Sequence, residues 1–206
     1  MFSRFEAMWL ALGGHKETCR LNFDILEALY SQPGRRYHNL DHVKQCLDEL
    51  EQWEELNILP NRDIEFALWY HDAIYCTDNT RDNERESALL AYQVTQSEEF
   101  EHKIESNIAD LIIATRHDGN GHNSAYDIIA DIDLSILGKK PEIFHKYCDN
   151  IRKEYAQYSD NDYKTGRIKV LNKFLNKERI YNTTYFHTKY EKQARKNITK
   201  EIKRFL

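Results

Sequence analysis

Few residues in this chain can break a helix. Of its 206 residues, seven are glycine and three are proline, the two residue types that interrupt regular structure most strongly. Between these breakers, apolar residues recur at helical spacing, as Phe2, Phe5, Trp9 and Leu12 do before Gly13-Gly14. No alternating pattern is long enough to indicate a strand. The sequence therefore predicts an all-α bundle of eight to ten helices forming a single domain over residues 1–206.

The same periodicity predicts where the helices lie. Breaks are expected at Pro33-Gly34, at Leu59-Pro60-Asn61 and at Gly138. The predicted helices cover about 2–13, 17–31, 39–56, 62–75, 83–97, 103–117, 124–137, 141–158, 164–176 and 187–205. The segment 62–75 is apolar enough to lie near the centre of the protein.

Composition excludes several classes of protein. Hydrophobic residues make up 41% and charged residues 31%, which is typical of a globular domain. The net charge of −5 gives no general attraction to nucleic acid, and the basic C-terminal run from Lys189 to Arg204 is interpreted as a solvated helix face. No run of about 18 apolar residues could span a membrane. Four scattered cysteines without a CxxC pair favour reduced thiols in a cytoplasmic protein, and the oligomeric state is left open.

Histidine and aspartate occur in three separate segments in an order that suits a divalent metal. These residues are His38 and His42, then His71-Asp72 after an apolar run, then Asp131 and Asp133. Neutral imidazole and carboxylate are both accepted by such ions. Each group alone is more often a surface or core feature than a ligand, and only one of Asp131 and Asp133 is expected to point inward. A buried Asp72 would need a partner charge, which a cation supplies.

The order and neighbours of these residues resemble a known pattern. The matching pieces are Arg36-Tyr37-His38-Asn39-Leu40-Asp41-His42-Val43, Trp69-Tyr70-His71-Asp72-Ala73-Ile74-Tyr75, Asn83-Glu84-Arg85-Glu86-Ser87-Ala88, Asp131-Ile132-Asp133-Leu134-Ser135-Ile136-Leu137-Gly138 and Ala194-Arg195-Lys196-Asn197-Ile198. Together they resemble the HD superfamily of metal-dependent phosphohydrolases, which have an all-α fold, and within it the small bacterial predicted HD phosphohydrolases. The likeness spans nearly the whole chain.

The resemblance implies roles for individual residues. It makes His42, His71, Asp72 and Asp133 metal ligands. Tyr37-His38-Asn39 followed by His42 is also similar to the YHNxxH motif of cyclic-nucleotide phosphodiesterases, which makes His38 a proton donor. The rest of the chain is too short to match a full phosphodiesterase domain, so a cyclic nucleotide substrate is not indicated.

Further residues are expected around this site. Asp72 could bridge two metals, and His117 or His122 could then bind the second one. His117-Asp118 is a second His-Asp doublet, but only His71-Asp72 lies between the other ligands in the order of the family. Glu84 is expected to orient a ligand or a water. Arg36, Arg116 and His117 are expected to contact phosphate oxygens.

The expected activity is hydrolysis of a phosphate ester by a metal-bound hydroxide, with His38 as general acid. The substrate would be a nucleotide or another small phosphorylated metabolite. Either one or two ions of Mn, Mg, Fe, Ni, Co or Zn are compatible with mixed histidine and aspartate ligation. Two alternatives stay open: a non-catalytic HD module that binds a nucleotide or a protein partner, and oxygen chemistry at a di-iron site.

Overall fold

The structure, a computed structural model, describes residues 1–57, 61–78, 80–98, 100, 107–118 and 124–205, and its regular secondary structure there is entirely helical. Within these ranges there are ten α-helices, one short 3₁₀ segment and no strand, which confirms the predicted all-α bundle. The helices are α1 (Phe2–Ala11), α2 (Lys16–Tyr30), α3 (Leu40–Asn57), α4 (Arg62–Tyr70), α5 (Asn83–Ser97), α6 (Ile108–Ala114), α7 (Ser124–Asp133), α8 (Pro141–Glu154), α9 (Asp160–Leu175) and α10 (Thr184–Phe205), and the 3₁₀ segment is Leu134–Gly138.

Several helix ends differ from the prediction because side chains fix them. Helix α9 begins at Asp160 rather than near 164, since the Ser159 hydroxyl accepts the backbone N–H of Asp162. Helix α4 ends at Tyr70 instead of continuing to 75. There the guanidinium of Arg35 donates to the carbonyl oxygens of Asp72 (2.6 Å) and Ala73 (2.7 Å), which holds the chain in a turn. Part of the helix predicted over 103–117 lies outside the described residues.

Helix α4 lies in the middle of the bundle, as its apolar composition predicts. It packs against α1, α3, α5, α6 and α7, and six of its nine residues are buried. The Trp69 ring meets the Phe5 ring edge to face with centroids 5.2 Å apart. A helix buried on several sides brings the residues at its end into the interior. The position of α4 therefore places His71 and Asp72 deep in the protein.

The 3₁₀ segment that follows α7 lies close to α10. A Cβ atom on Gly138 would lie 2.5 Å from Cβ of Tyr190, so only glycine permits this approach. The Tyr181 hydroxyl donates to the Leu134 carbonyl at 3.0 Å. These contacts fix the end of α7, which carries Asp133.

The structure bears on the predicted state of the cysteines and on the predicted lack of a membrane-spanning segment. All four cysteines are free, and Cys19, Cys46 and Cys148 are buried. No helix within the described ranges has both the length and the apolar character needed to cross a membrane.

Candidate metal centre

Three helices deliver the four predicted ligands to one place. Helix α3 carries His42 in its first turn, and the turn that follows α4 carries His71 and Asp72. Helix α7 ends at Asp133. Helix α3 begins at Leu40 because Oδ1 of Asn39 accepts the N–H groups of Asp41 (2.9 Å) and His42 (3.3 Å). His38 therefore lies before the helix, not one turn below His42 on it.

The ligand atoms are spaced as they would be around a single cation. Nε2 of His42 lies 3.1 Å from Nε2 of His71, 3.4 Å from Oδ2 of Asp72 and 3.2 Å from Oδ1 of Asp133. Nε2 of His71 lies 3.1 Å and 3.7 Å from the same two oxygens. Neighbouring ligands with bonds of about 2.1 Å to one ion are about 3.0 to 3.4 Å apart. The four side chains thus fit a divalent cation.

Hydrogen bonding fixes the orientation of the His71 ring. Its Nδ1 lies 2.9 Å from the carbonyl oxygen of Leu68, which can only accept, so Nδ1 carries the proton. In the neutral ring, the lone pair of Nε2 then faces the Asp72 and Asp133 carboxylates and the His42 ring. A lone pair directed at further acceptors is unfavourable unless a proton or a cation lies between them. This arrangement is the usual one for a metal-binding histidine.

Charge in the centre is balanced between the carboxylates and the imidazoles. Burial alone lowers the pKa of His71, but the Asp72 and Asp133 carboxylates outweigh burial and raise this pKa well above its usual range. Burial alone raises the pKa of both carboxyl groups, yet the neighbouring histidines hold each pKa well below its usual range. The two aspartates are therefore ionised, and a divalent ion would neutralise them without protonated imidazoles.

Cys46 is a donor in this region that the sequence analysis missed. With His42, His71 and Asp133 it forms a buried group whose ligand atoms lie within 4.8 Å of one another and could hold a metal ion. Its Sγ is 3.8 Å from both ring nitrogens of His42, so it lies beside the ring and not in front of Nε2. A cation in the ring plane at Nε2 would be about 4 Å from the sulfur, whereas a zinc–thiolate bond is about 2.3 Å. Asp72 is therefore the better fourth ligand.

The variant Cys46→Ser is expected to keep its metal. Because the sulfur lies beside the His42 ring, its replacement removes no ligand, and elemental analysis should give the same metal-to-protein ratio as in the unaltered protein. Cys148→Ser, at another buried helical cysteine, is the matched control. Loss of metal in Cys46→Ser alone would make Cys46 a ligand.

His117 contacts the outer side of Asp133. Its Nε2 lies 2.7 Å from Oδ2 of Asp133, and its backbone has a φ of 57°, in the left-handed region that residues other than glycine adopt uncommonly. Its Nδ1 is buried with no hydrogen-bond partner among the residues described. Asp118 is exposed, so only the His71-Asp72 doublet places both its members at the centre. His122 lies outside the described residues.

A carboxylate that the sequence analysis did not identify positions His38. Oε2 of Glu154 lies 2.7 Å from Nδ1 of His38. Its Oε1 accepts the backbone N–H groups of Arg36 (2.7 Å), Tyr37 (2.7 Å) and His38 (2.9 Å). Burial alone raises the pKa of Glu154, but its hydrogen bond with His38 reverses this and lowers the pKa. An acid in the last turn of α8 opposes the helix dipole, and that is the one sequence signal that could have identified it.

The remaining predicted residues have different surroundings. Glu84 lines the same cavity as Asp72 and Asp133, with a volume of about 190 Å³. Arg116 forms ion pairs with Asp82 and, at 3.7 Å, with Glu84. Arg36 is exposed and lines a neighbouring cavity to which neither Asp72 nor Asp133 contributes. The structure therefore does not bring Arg36 to the carboxylates of Asp72 and Asp133. The guanidinium of Arg116 is already paired with acidic side chains.

Comparison with known proteins assigns this chain to no family. No protein-family model, curated protein or solved structure matches the chain. The resemblance of its motifs to the HD phosphohydrolases therefore stays a prediction.

The centre opens onto a cavity and is not closed. The side chains of Asp72 and Asp133 are 15% and 18% exposed, whereas those of His42 and His71 are 2% and 1% exposed. Structural metal sites are usually enclosed by their protein ligands, and catalytic sites leave an open position. A small molecule could therefore approach on the carboxylate side, where His38 also lines the cavity.

Proposed function

We propose that this protein is a metal-dependent phosphohydrolase acting on a phosphate ester, either a nucleotide or another small phosphorylated metabolite. The observation that supports this most strongly is the convergence of four ligand side chains, 3.1 to 3.7 Å apart, at the wall of an open cavity. The motif resemblance to HD phosphohydrolases supports the same activity.

The residues suited to hold the ion are His42, His71, Asp72 and Asp133. When bound, a divalent ion lowers the pKa of a water ligand and polarises a phosphoryl oxygen. His117 holds the second oxygen of Asp133 and so keeps that carboxylate in one orientation.

His38 is suited to protonate the leaving group. Its Nδ1 is occupied by Glu154, which leaves Nε2 as the ring nitrogen for a substrate. The ring is stacked on Tyr75 with centroids 4.0 Å apart, so its orientation is fixed. A proton on Nε2 can pass to the departing alkoxide oxygen while Nδ1 keeps its hydrogen bond to Glu154. A site that only binds a ligand would not need this pair.

Removing the metal is expected to abolish phosphate release. A panel of phosphate esters should be hydrolysed by the purified protein at a rate that falls roughly 10²-fold or more after chelation, since the ion supplies several kcal/mol of stabilisation to the transition state. Adding back Mn²⁺ or Zn²⁺ should restore the rate, and colorimetric phosphate detection measures it. Phosphate release that survives both chelation and Asp72→Ala would overturn the proposed function.

A further inference from the structure

A second, larger cavity adjoins the one that contains the metal ligands. Its volume is about 400 Å³, within the range of ligand pockets. The two cavities share the side chains of His38, Tyr75, Tyr147, Arg167 and Val170. A ligand with one end at the aspartates can therefore place its other end in the larger cavity.

Arg167 lies where the two cavities meet, and none of the described carboxylates pairs with it. Its Nε and Nη2 atoms are buried without a hydrogen-bond partner among the described residues. Its guanidinium carbon lies 5.1 Å from the centre of the Tyr147 ring. A buried guanidinium without an anion is unfavourable, and its forked donors match phosphate oxygens. The junction is thus suited to a phosphate group.

Aromatic side chains form the walls of the larger cavity. They are Tyr75, Tyr147, Tyr155, Tyr158 and Tyr163. The segment 155–158 is held in place, because the Tyr158 hydroxyl donates to the Thr77 carbonyl (2.9 Å) and Arg152 donates to the carbonyls of Tyr155 (2.8 Å) and Tyr158 (3.1 Å). Aromatic faces bind planar rings by stacking, and every nucleobase offers such a face. The cavity is therefore preformed for a planar ring.

Gly166 keeps one side of this cavity open. It lies within α9 and lines the cavity, and a Cβ atom added to it would meet nothing within 4 Å. Glycine inside a helix lowers helix stability relative to alanine. Because the space beside Gly166 is empty, a larger side chain at this position could fill part of the cavity without a clash in the fold.

We propose that the substrate is a nucleoside monophosphate, with its phosphate between the metal ligands and Arg167 and its base among the tyrosines. This inference rests on the proposed phosphohydrolase function. Asp162 also lines the larger cavity, and its carboxylate disfavours a second phosphate there. A monophosphate is therefore favoured over a nucleotide with a longer phosphate chain.

Binding can be measured without turnover by calorimetry on the Mn²⁺-loaded protein. The first probe is the adenosine 5′-monophosphate analogue in which a methylene group replaces the ester oxygen, and the second is methylphosphonate. The unaltered protein should bind the adenosine probe at least roughly tenfold more tightly, because only that probe reaches the tyrosines. Arg167→Met should weaken both probes roughly tenfold or more. Lys169→Met, which removes a positive charge from an exposed position on the same helix, should change neither.

The variant Gly166→Leu separates the two parts of the site. It should weaken the adenosine probe roughly tenfold and leave methylphosphonate within about twofold, since it fills only the larger cavity. Equal affinity of both probes for the unaltered protein, or unchanged adenosine binding in Gly166→Leu, would overturn the inference. Tight nucleotide binding without phosphate release would instead overturn the hydrolase proposal and keep the pocket assignment. Hydrolysis of small phosphates without any nucleoside preference would overturn the pocket assignment and keep the hydrolase proposal.

Discussion

The variant Asp133→Asn is expected to lose its metal and to release phosphate roughly 10³-fold more slowly or worse, an effect at the upper end of those seen when one electrostatic group at a reacting centre is removed. One carboxylate oxygen lies 3.2 Å from Nε2 of His42, and the other lies 2.7 Å from Nε2 of His117. Asparagine keeps the shape but removes the charge, and its amide group would present donors where acceptors are needed. Elemental analysis and an initial-rate assay measure both losses.

Asp131→Asn is the matched control for this prediction. Asp131 is fully buried two residues earlier on the same helix, but it accepts the backbone N–H groups of Asn182 (2.8 Å) and Thr183 (2.7 Å). Its replacement should lower the free energy of unfolding by about 1 to 3 kcal/mol, measured by urea denaturation, and leave the metal in place. If Asp131→Asn lost the metal and Asp133→Asn kept it, the assignment of ligands would be wrong.

The contrast between these two aspartates shows what could be predicted from the sequence. Helical periodicity depends on neighbours within one turn, so the number and order of helices could be predicted. Residues two apart on a helix point to different sides, which predicts that only one of Asp131 and Asp133 points inward. That prediction is wrong, because Asp131 is fully buried as well, against the backbone of Asn182 and Thr183. The resemblance favoured Asp133 as the ligand, and the structure places it beside His42 and His71.

Other parts of the site depend on contacts between distant residues. Glu154 lies 116 positions from His38, and Arg167 joins the cavity from a different helix. Both occur in polar stretches that are typical of solvated helix faces, and the only local signal is the unfavourable position of Glu154 at the C-terminal end of its helix. Arg36 was predicted to bind phosphate, yet its neighbour Arg35 turns inward and holds the carbonyls at the His71-Asp72 turn. A loop before a helix has no periodicity that would show which of two adjacent arginines is buried.

His38→Ala is expected to slow hydrolysis of alkyl phosphates by about 10² to 10⁴-fold, the usual contribution of a general acid. An alkoxide is a poor leaving group and needs a proton as the ester bond breaks. A nitrophenolate leaves readily without one, so the rate with p-nitrophenyl phosphate should fall by less than about tenfold. Metal content should not change, since His38 is not among the ligands. Initial rates with the two substrates, measured at the same pH, give this comparison directly.

Glu154→Gln tests whether the carboxylate acts through His38. Glutamine keeps one acceptor oxygen for the N–H groups of residues 36–38 but removes the charge beside Nδ1 of His38. The rate with alkyl phosphates should fall by about 10- to 100-fold, as for other groups that orient a site residue, and the rate with p-nitrophenyl phosphate should change little. His145→Ala, at an exposed position on the same helix, is the control and should alter neither rate. Equal losses with both substrates in Glu154→Gln and in His38→Ala would instead show that this pair supports the loop structure and donates no proton, because only proton donation depends on the leaving group.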